Sequence, residues 1–77
     1  MSPAFQRNPE SLYAKILDQL GGRAQELEPE VWRLAIRGAR GRVREMSRWL
    51  GVTRSYCYMR IQRFELGEEL RRAQAGG

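Results

Sequence analysis

Apolar positions along the chain recur at helical spacing in four stretches. Leu12, Tyr13, Ile16, Leu17 and Leu20 fall at i, i+1, i+4, i+5 and i+8, the stripe of an amphipathic first helix. Asn8-Pro9-Glu10 ahead of it offers a cap, a first-turn proline and an acid at the positive end of the helix dipole, and Gly21-Gly22 closes it. Val31, Trp32, Leu34, Ala35, Ile36 and Ala39 mark a second helix that stops before Gly41. Pro29 most simply opens this helix, or else kinks a longer one beginning near Arg23; the pattern admits both. Val43, Met46, Ser47 and Leu50 line one face of a short third helix ending at Gly51. Thr53 then caps a fourth, whose Cys57, Ile61 and Phe64 point inward and which closes at Leu66-Gly67. Residues 68–75 have room for one or two further exposed turns. Strand-like alternation and internal repeats are both missing. The pattern predicts an all-α fold with four main helices.

Composition narrows the chemistry. The 77 residues include no histidine and a single cysteine, Cys57. That leaves no Cys/His zinc set and no Ser/His or Cys/His nucleophile pair, so no metal, no cofactor and no enzymatic activity are expected. Cys57 reads as a small buried apolar residue. A lone cysteine makes no intramolecular disulfide, which suits a reducing cytoplasm. No apolar run approaches the roughly 20 residues that span a bilayer, and the first residues lack the apolar core of a signal peptide. A cytoplasmic chain without a membrane partner is expected.

Charge changes the picture more. The net +5 comes from 14 basic and 9 acidic side chains, and all the basic ones except Lys15 are arginine. Residues 8–30 hold two basic side chains against five acidic ones, a net of −3. Residues 31–63 hold nine arginines against Glu45 alone, a net of +8, and the remainder is close to neutral. A stretch this basic repels itself unless something anionic neutralises it.

The two short helices that meet at Leu50-Gly51-Val52 lie inside this basic stretch. Glycine suits the positive φ that ends the first of them, and small Ser47 lets them cross closely. This is the layout of a helix-turn-helix. Gly41, then Gly51-Val52-Thr53-Arg54, Cys57, Ile61 and Phe64 follow the spacing of the Fis family, which the segment resembles without a gap. That family includes the factor for inversion stimulation and the C-terminal DNA-binding domains of NtrC-type regulators. The likeness is close over 41–66 and only topological before it. Arg42, Met46-Ser47 and Glu65 stand where the family usually has asparagine, two alanines and a terminal glycine.

The resemblance implies a four-helix Fis-like domain: two N-terminal helices that dimerise and a C-terminal helix-turn-helix. It divides the chain into a flexible arm (1–8), a helical dimerisation region (9–40), a DNA-binding region (41–66) and a C-terminal tail (67–77). The recognition helix, 53–64, would enter the major groove. Arg54 matches the family's base-reading arginine, suited to guanine O6 and N7. Ser55, Tyr58, Met59 and Gln62 lie opposite Cys57 and Ile61 on the helical wheel and join it as candidate base contacts. Arg42, Arg44, Arg48, Thr53, Arg60 and Arg63 are candidate phosphate contacts. Leu12, Tyr13, Ile16, Leu17, Leu20, Val31 and Trp32 are the candidate dimer interface. The expected partners are double-stranded DNA and a second copy of the chain, with half-sites about 34 Å apart. Such a chain would be a bacterial or phage transcription regulator or nucleoid-associated protein, located at the nucleoid. The alternative is a small basic interaction module, an antitoxin, inhibitor or anti-regulator, whose partner is another regulatory protein of acidic character.

Overall fold

A computed structural model describes residues 11–76, so the expected arm and the Asn8-Pro9-Glu10 start signal lie outside the described residues. Helix α1 spans Leu12–Leu20. Its cap is Ser11, whose extended backbone turns the hydroxyl to accept the Ala14 N–H at 3.1 Å. Gly21, at φ 54°, ends α1, and a single 3-10 turn (Gly21–Arg23) feeds directly into α2, Ala24–Gly38. Pro29 therefore lies inside α2 rather than opening it. Its ring nitrogen has no hydrogen for the Gln25 carbonyl one turn back, a local weakness the helix absorbs. The longer α2 places Glu28 on the same face as Trp32, four residues on.

Helices α3 (Val43–Leu50) and α4 (Arg54–Arg63) follow as the spacing predicts. Residues 67–77 were expected to be a tail, but Gly67–Gly76 forms a further helix, α5. Three contacts make α5 part of the body. Leu70 is buried, Arg33 Nε of α2 meets Glu69 Oε2 at 3.3 Å, and the Gln74 amide donates to the Gly41 carbonyl at 3.1 Å. The described residues contain no strand, and the fold is all-α.

The same chain reversal ends α2, α3 and α4. The N–H groups of Gly41, Val52 and Leu66 reach back five residues, to the carbonyls of Ile36 (2.9 Å), Ser47 (3.2 Å) and Ile61 (2.8 Å). Each reversal requires a left-handed residue just before it, and these are Arg40 (φ 54°), Gly51 (φ 74°) and Glu65 (φ 58°). Only Gly51 adopts that conformation without strain. Glu65 carries that strain in the turn that closes α4. Gly41 is itself left-handed, at φ 78°, and has a second reason to be glycine. A Cβ there would sit 2.6 Å from Gln74 Cγ and 2.8 Å from its backbone nitrogen, where α5 crosses.

The core is built from one face of every helix. Tyr13 of α1, Trp32 and Ile36 of α2, Val43, Met46 and Leu50 of α3, Cys57 and Ile61 of α4, and Leu70 of α5 are all buried. Tyr13, Trp32 and Tyr56 form an aromatic triangle with centroids 5.4, 5.7 and 6.4 Å apart, within the range where tilted and edge-on rings attract.

Relieving the left-handed glutamate should stabilise the fold. Glu65→Gly is expected to add about 0.5–1 kcal/mol, after the entropy glycine brings to the unfolded chain is subtracted. Gly41→Ala, which meets both the strained φ and the α5 backbone, is expected to cost about 2 kcal/mol or more. Thermal melts of the two variants should move in opposite directions, by several degrees each.

Candidate nucleic-acid interface

Helix α4 divides cleanly into two faces. Cys57 and Ile61 pack inward, while Arg54, Ser55, Tyr58, Met59 and Gln62 are exposed. Their spacing of i, i+1, i+4, i+5 and i+8 sets the five on one surface. The helix starts at Thr53, whose hydroxyl accepts the Tyr56 N–H at 3.0 Å and keeps its own hydrogen for donation. Arg54 follows at the positive end of the helix dipole, with no acid in the first turn to offset it. That placement is locally unfavourable, by about 0.3–1 kcal/mol.

Helix α3 is equally two-sided. Val43, Met46 and Leu50 are buried, and Arg44 and Arg48, one turn apart, are exposed. With Arg37, Arg40, Arg42, Arg54 and Arg63 they make seven exposed arginines between α2 and the end of α4. None of the seven has an ion-pair partner among the described residues.

Arg60 is the exception among the expected phosphate contacts. Its guanidinium turns into the protein and grips Glu28 of α2 side-on, Nη2 to Oε1 at 2.8 Å and Nε to Oε2 at 3.1 Å. It also lies over the rings of Tyr56 and Phe64, 5.7 and 5.0 Å from their centroids. Glu28 itself is only 6% exposed. It accepts further hydrogen bonds from the Tyr13 hydroxyl and, at 3.4 Å, from Trp32 Nε1. Arg60 is thus committed to the interior and is withdrawn as a phosphate contact.

The charge states in this cluster follow from its contacts. Burial alone would raise the Glu28 carboxyl, but the hydrogen bonds from Arg60, Tyr13 and Trp32 outweigh it and hold the group below its usual range. Burial, reinforced by the Glu28 carboxylate, pushes the Tyr13 phenol up well beyond its ordinary value. Burial opposes the Arg60 charge, yet Glu28 more than compensates and the guanidinium is held more firmly protonated than usual. Burial also pushes the Cys57 thiol up to about 11, which removes it as a nucleophile.

The candidate dimer residues separate in the structure. Tyr13 and Trp32 are 0% exposed within the chain and have no surface to offer a second copy, so both are withdrawn from that interface. Leu17 and Leu20 are half-buried, and Leu17 packs on the core. Leu12, Ile16 and Val31 instead line an apolar groove of about 370 Å³, shared with Leu34, Ala35, Trp49 and Leu50. Leu34 is 63% exposed, Leu12 49% and Trp49 48%. The Trp49 ring lies over Gly38 of α2, where a Cβ would approach it to 3.3 Å. Of the two tyrosines on α4, Tyr56 packs into the aromatic triangle and Tyr58 faces outward.

Sequence reasoning missed Glu28, and the reason is specific. Positions 28, 32, 35, 36 and 39 form one continuous stripe at helical spacing, with a glutamate where the pattern calls for an apolar residue. Taking Pro29 as the start of the helix removes position 28 from that stripe. Leu34 and Trp49 lie on different helices, and only the fold brings them into one apolar face.

Among the described residues, no group of acids and cysteine is arranged to hold a metal ion, and no helix is long and apolar enough to cross a membrane. Comparison with protein-family models, curated proteins and solved structures finds no match to the chain.

The Glu28 cluster makes a signed pH prediction. A carboxyl held below its ordinary value of 4.5 stabilises the fold above that pH and loses the contribution as pH falls through the folded-state value. The melting temperature should therefore drop as pH falls from about 5 toward 3, and Glu28→Gln should flatten that dependence. At neutral pH the same substitution, which leaves Arg60 unpaired inside, is expected to cost about 3–5 kcal/mol. Calorimetry across this pH range checks both expectations.

Proposed function

We propose that this protein binds double-stranded DNA in a sequence-specific manner, as a homodimer, through a helix-turn-helix made of α3 and α4. The observation that carries the reading is the set of seven exposed arginines without carboxylate partners among the described residues, four of them (Arg44, Arg48, Arg54 and Arg63) on α3 and α4 themselves. Phosphates supply the missing counter-charge, and their regular spacing suits a surface that positions without specifying. In this reading α4 enters the major groove by its N-terminal turns, with Arg54 and Ser55 foremost and Tyr58, Met59 and Gln62 behind them. Arg42, Arg44, Arg48, Thr53 and Arg63 hold the backbone. A transcription regulator or nucleoid-associated protein is the role this chemistry fits, and the likeness of 41–66 to the Fis family supports it from the sequence side.

The second copy covers the apolar groove formed by Leu12, Ile16, Val31, Leu34 and Trp49. A chain of this size buries a limited share of its own surface, and a two-fold pairing hides the same patch twice. Two recognition helices then approach two half-sites of one duplex.

Three experiments test the reading. DNA affinity should fall by at least about 100-fold between 50 and 200 mM salt, if five or more phosphates are neutralised. Affinity that stays flat across this range counts against DNA as the partner. After selection of a preferred site from random duplexes, Arg54→Ala should lose discrimination for it, while Arg44→Ala should weaken all sequences alike and lower the salt slope by about one. For the dimer, Leu34→Glu should yield a monomer by sedimentation and weaken binding to the two-half-site duplex by more than tenfold, the cost of losing a linked second site. A variant that remains dimeric places the interface elsewhere.

A further inference from the structure

The exposed face of α4 does not end in neutral surroundings. Tyr58 and Gln62 share a groove of about 480 Å³ with Glu65 and Glu68, floored by Ile61 and Leu70. Both carboxylates are exposed and both are fixed in place by backbone structure. Glu65 is held in the left-handed turn by the Leu66 N–H to Ile61 carbonyl bond. Glu68 sits in the first turn of α5, which is anchored by Leu70, by the Arg33–Glu69 pair and by Gln74 on the Gly41 carbonyl. Glu65 has no ion-pair partner among the described residues, and Glu68 has only Arg71 at 3.3 Å, both of them largely solvent-exposed. Such a pair is mostly screened, so two negative charges remain beside the C-terminal half of α4.

Resting on the DNA-binding reading, we propose that Glu65 and Glu68 are specificity-determining residues that limit how far α4 can lie along the groove. Phosphates approaching the C-terminal turns of α4 meet two carboxylates beside Arg63, whereas those approaching Arg54, Arg44 and Arg48 meet guanidinium groups alone. The recognition helix is thereby tipped, with its first two turns toward the bases and its last turn away. Loose docking of the whole helix along any duplex is disfavoured, because that arrangement brings both acids against the backbone.

The test compares the wild-type chain with Glu65→Gln/Glu68→Gln. The probes are a selected duplex and an unrelated duplex of the same length, at matched salt. The double variant should bind the unrelated duplex about fivefold more tightly and the selected one about as before, so that the ratio between them narrows. Unchanged affinity of the double variant for both duplexes overturns the proposal, since the acids then lie away from DNA. Weaker binding to the selected duplex also overturns it, because the carboxylates would then be accepting hydrogen bonds from bases. If the wild-type chain binds neither duplex at any salt, the DNA-binding reading itself falls.

Discussion

A carboxylate buried among aromatic rings is a costly thing for a chain of 77 residues to keep, and the arrangement of this fold depends on the one at Glu28. Desolvating an ion costs several kcal/mol unless a partner and further hydrogen bonds replace the lost water. Glu28 has all of these: a side-on guanidinium from α4, a phenol from α1 and an indole from its own helix. No two of the three helices can slide against each other without breaking part of that set. Apolar packing among Tyr13, Trp32 and Tyr56 tolerates small adjustments, whereas the fork of hydrogen bonds on one carboxylate does not. The cluster thus fixes the height and rotation of α4 against the α1–α2 pair, and with them the direction in which the exposed face of α4 points.

The same constraint redistributes charge. The basic stretch counts nine arginines in the sequence, but Arg60 is spent on Glu28 and Arg33 on Glu30 and Glu69. What is left for an anionic partner lies at the end of α2, on the link that follows, on α3 and at both ends of α4. At the C-terminal end of α4, the turn after it and the first turn of α5 add the acids Glu65 and Glu68 beside Arg63. The two ends of α4 therefore differ in charge once the fold is complete, the first purely basic and the second mixed.

Much of this was legible in the chain, and the rest was hidden for identifiable reasons. The inward residues of α3 and α4, the Thr53 cap and the positive φ of Gly51 all follow from local spacing and turn chemistry, which need no knowledge of the tertiary fold. The Ser11 cap, the run of α2 through Pro29 and the docking of α5 depend on distant contacts. Ser11 packs where Gly51 leaves room for it, and α5 closes over Gly41. The fate of Arg60 was least visible of all. Its partner lies 32 residues away, and on a helical wheel an arginine bound to a buried acid looks the same as one waiting for a phosphate. The candidate site was correspondingly half legible. The exposed face of α4 emerges as its spacing indicated, whereas the division of its neighbours into free and committed charges required the fold.

The position of Cys57 has a practical consequence. Its sulfur lies wholly inside the core on α4, and the thiol is kept protonated at ordinary pH. A thiol-directed reagent has nothing to react with until α4 lifts from the helices beneath it, and the cysteine has no twin elsewhere in the chain to confuse the signal. The rate at which this single sulfur is modified is therefore a clock for the opening of the core. A ligand held by the outer face of the same helix would be registered as a slowing of that clock, with no label added to the surface it binds.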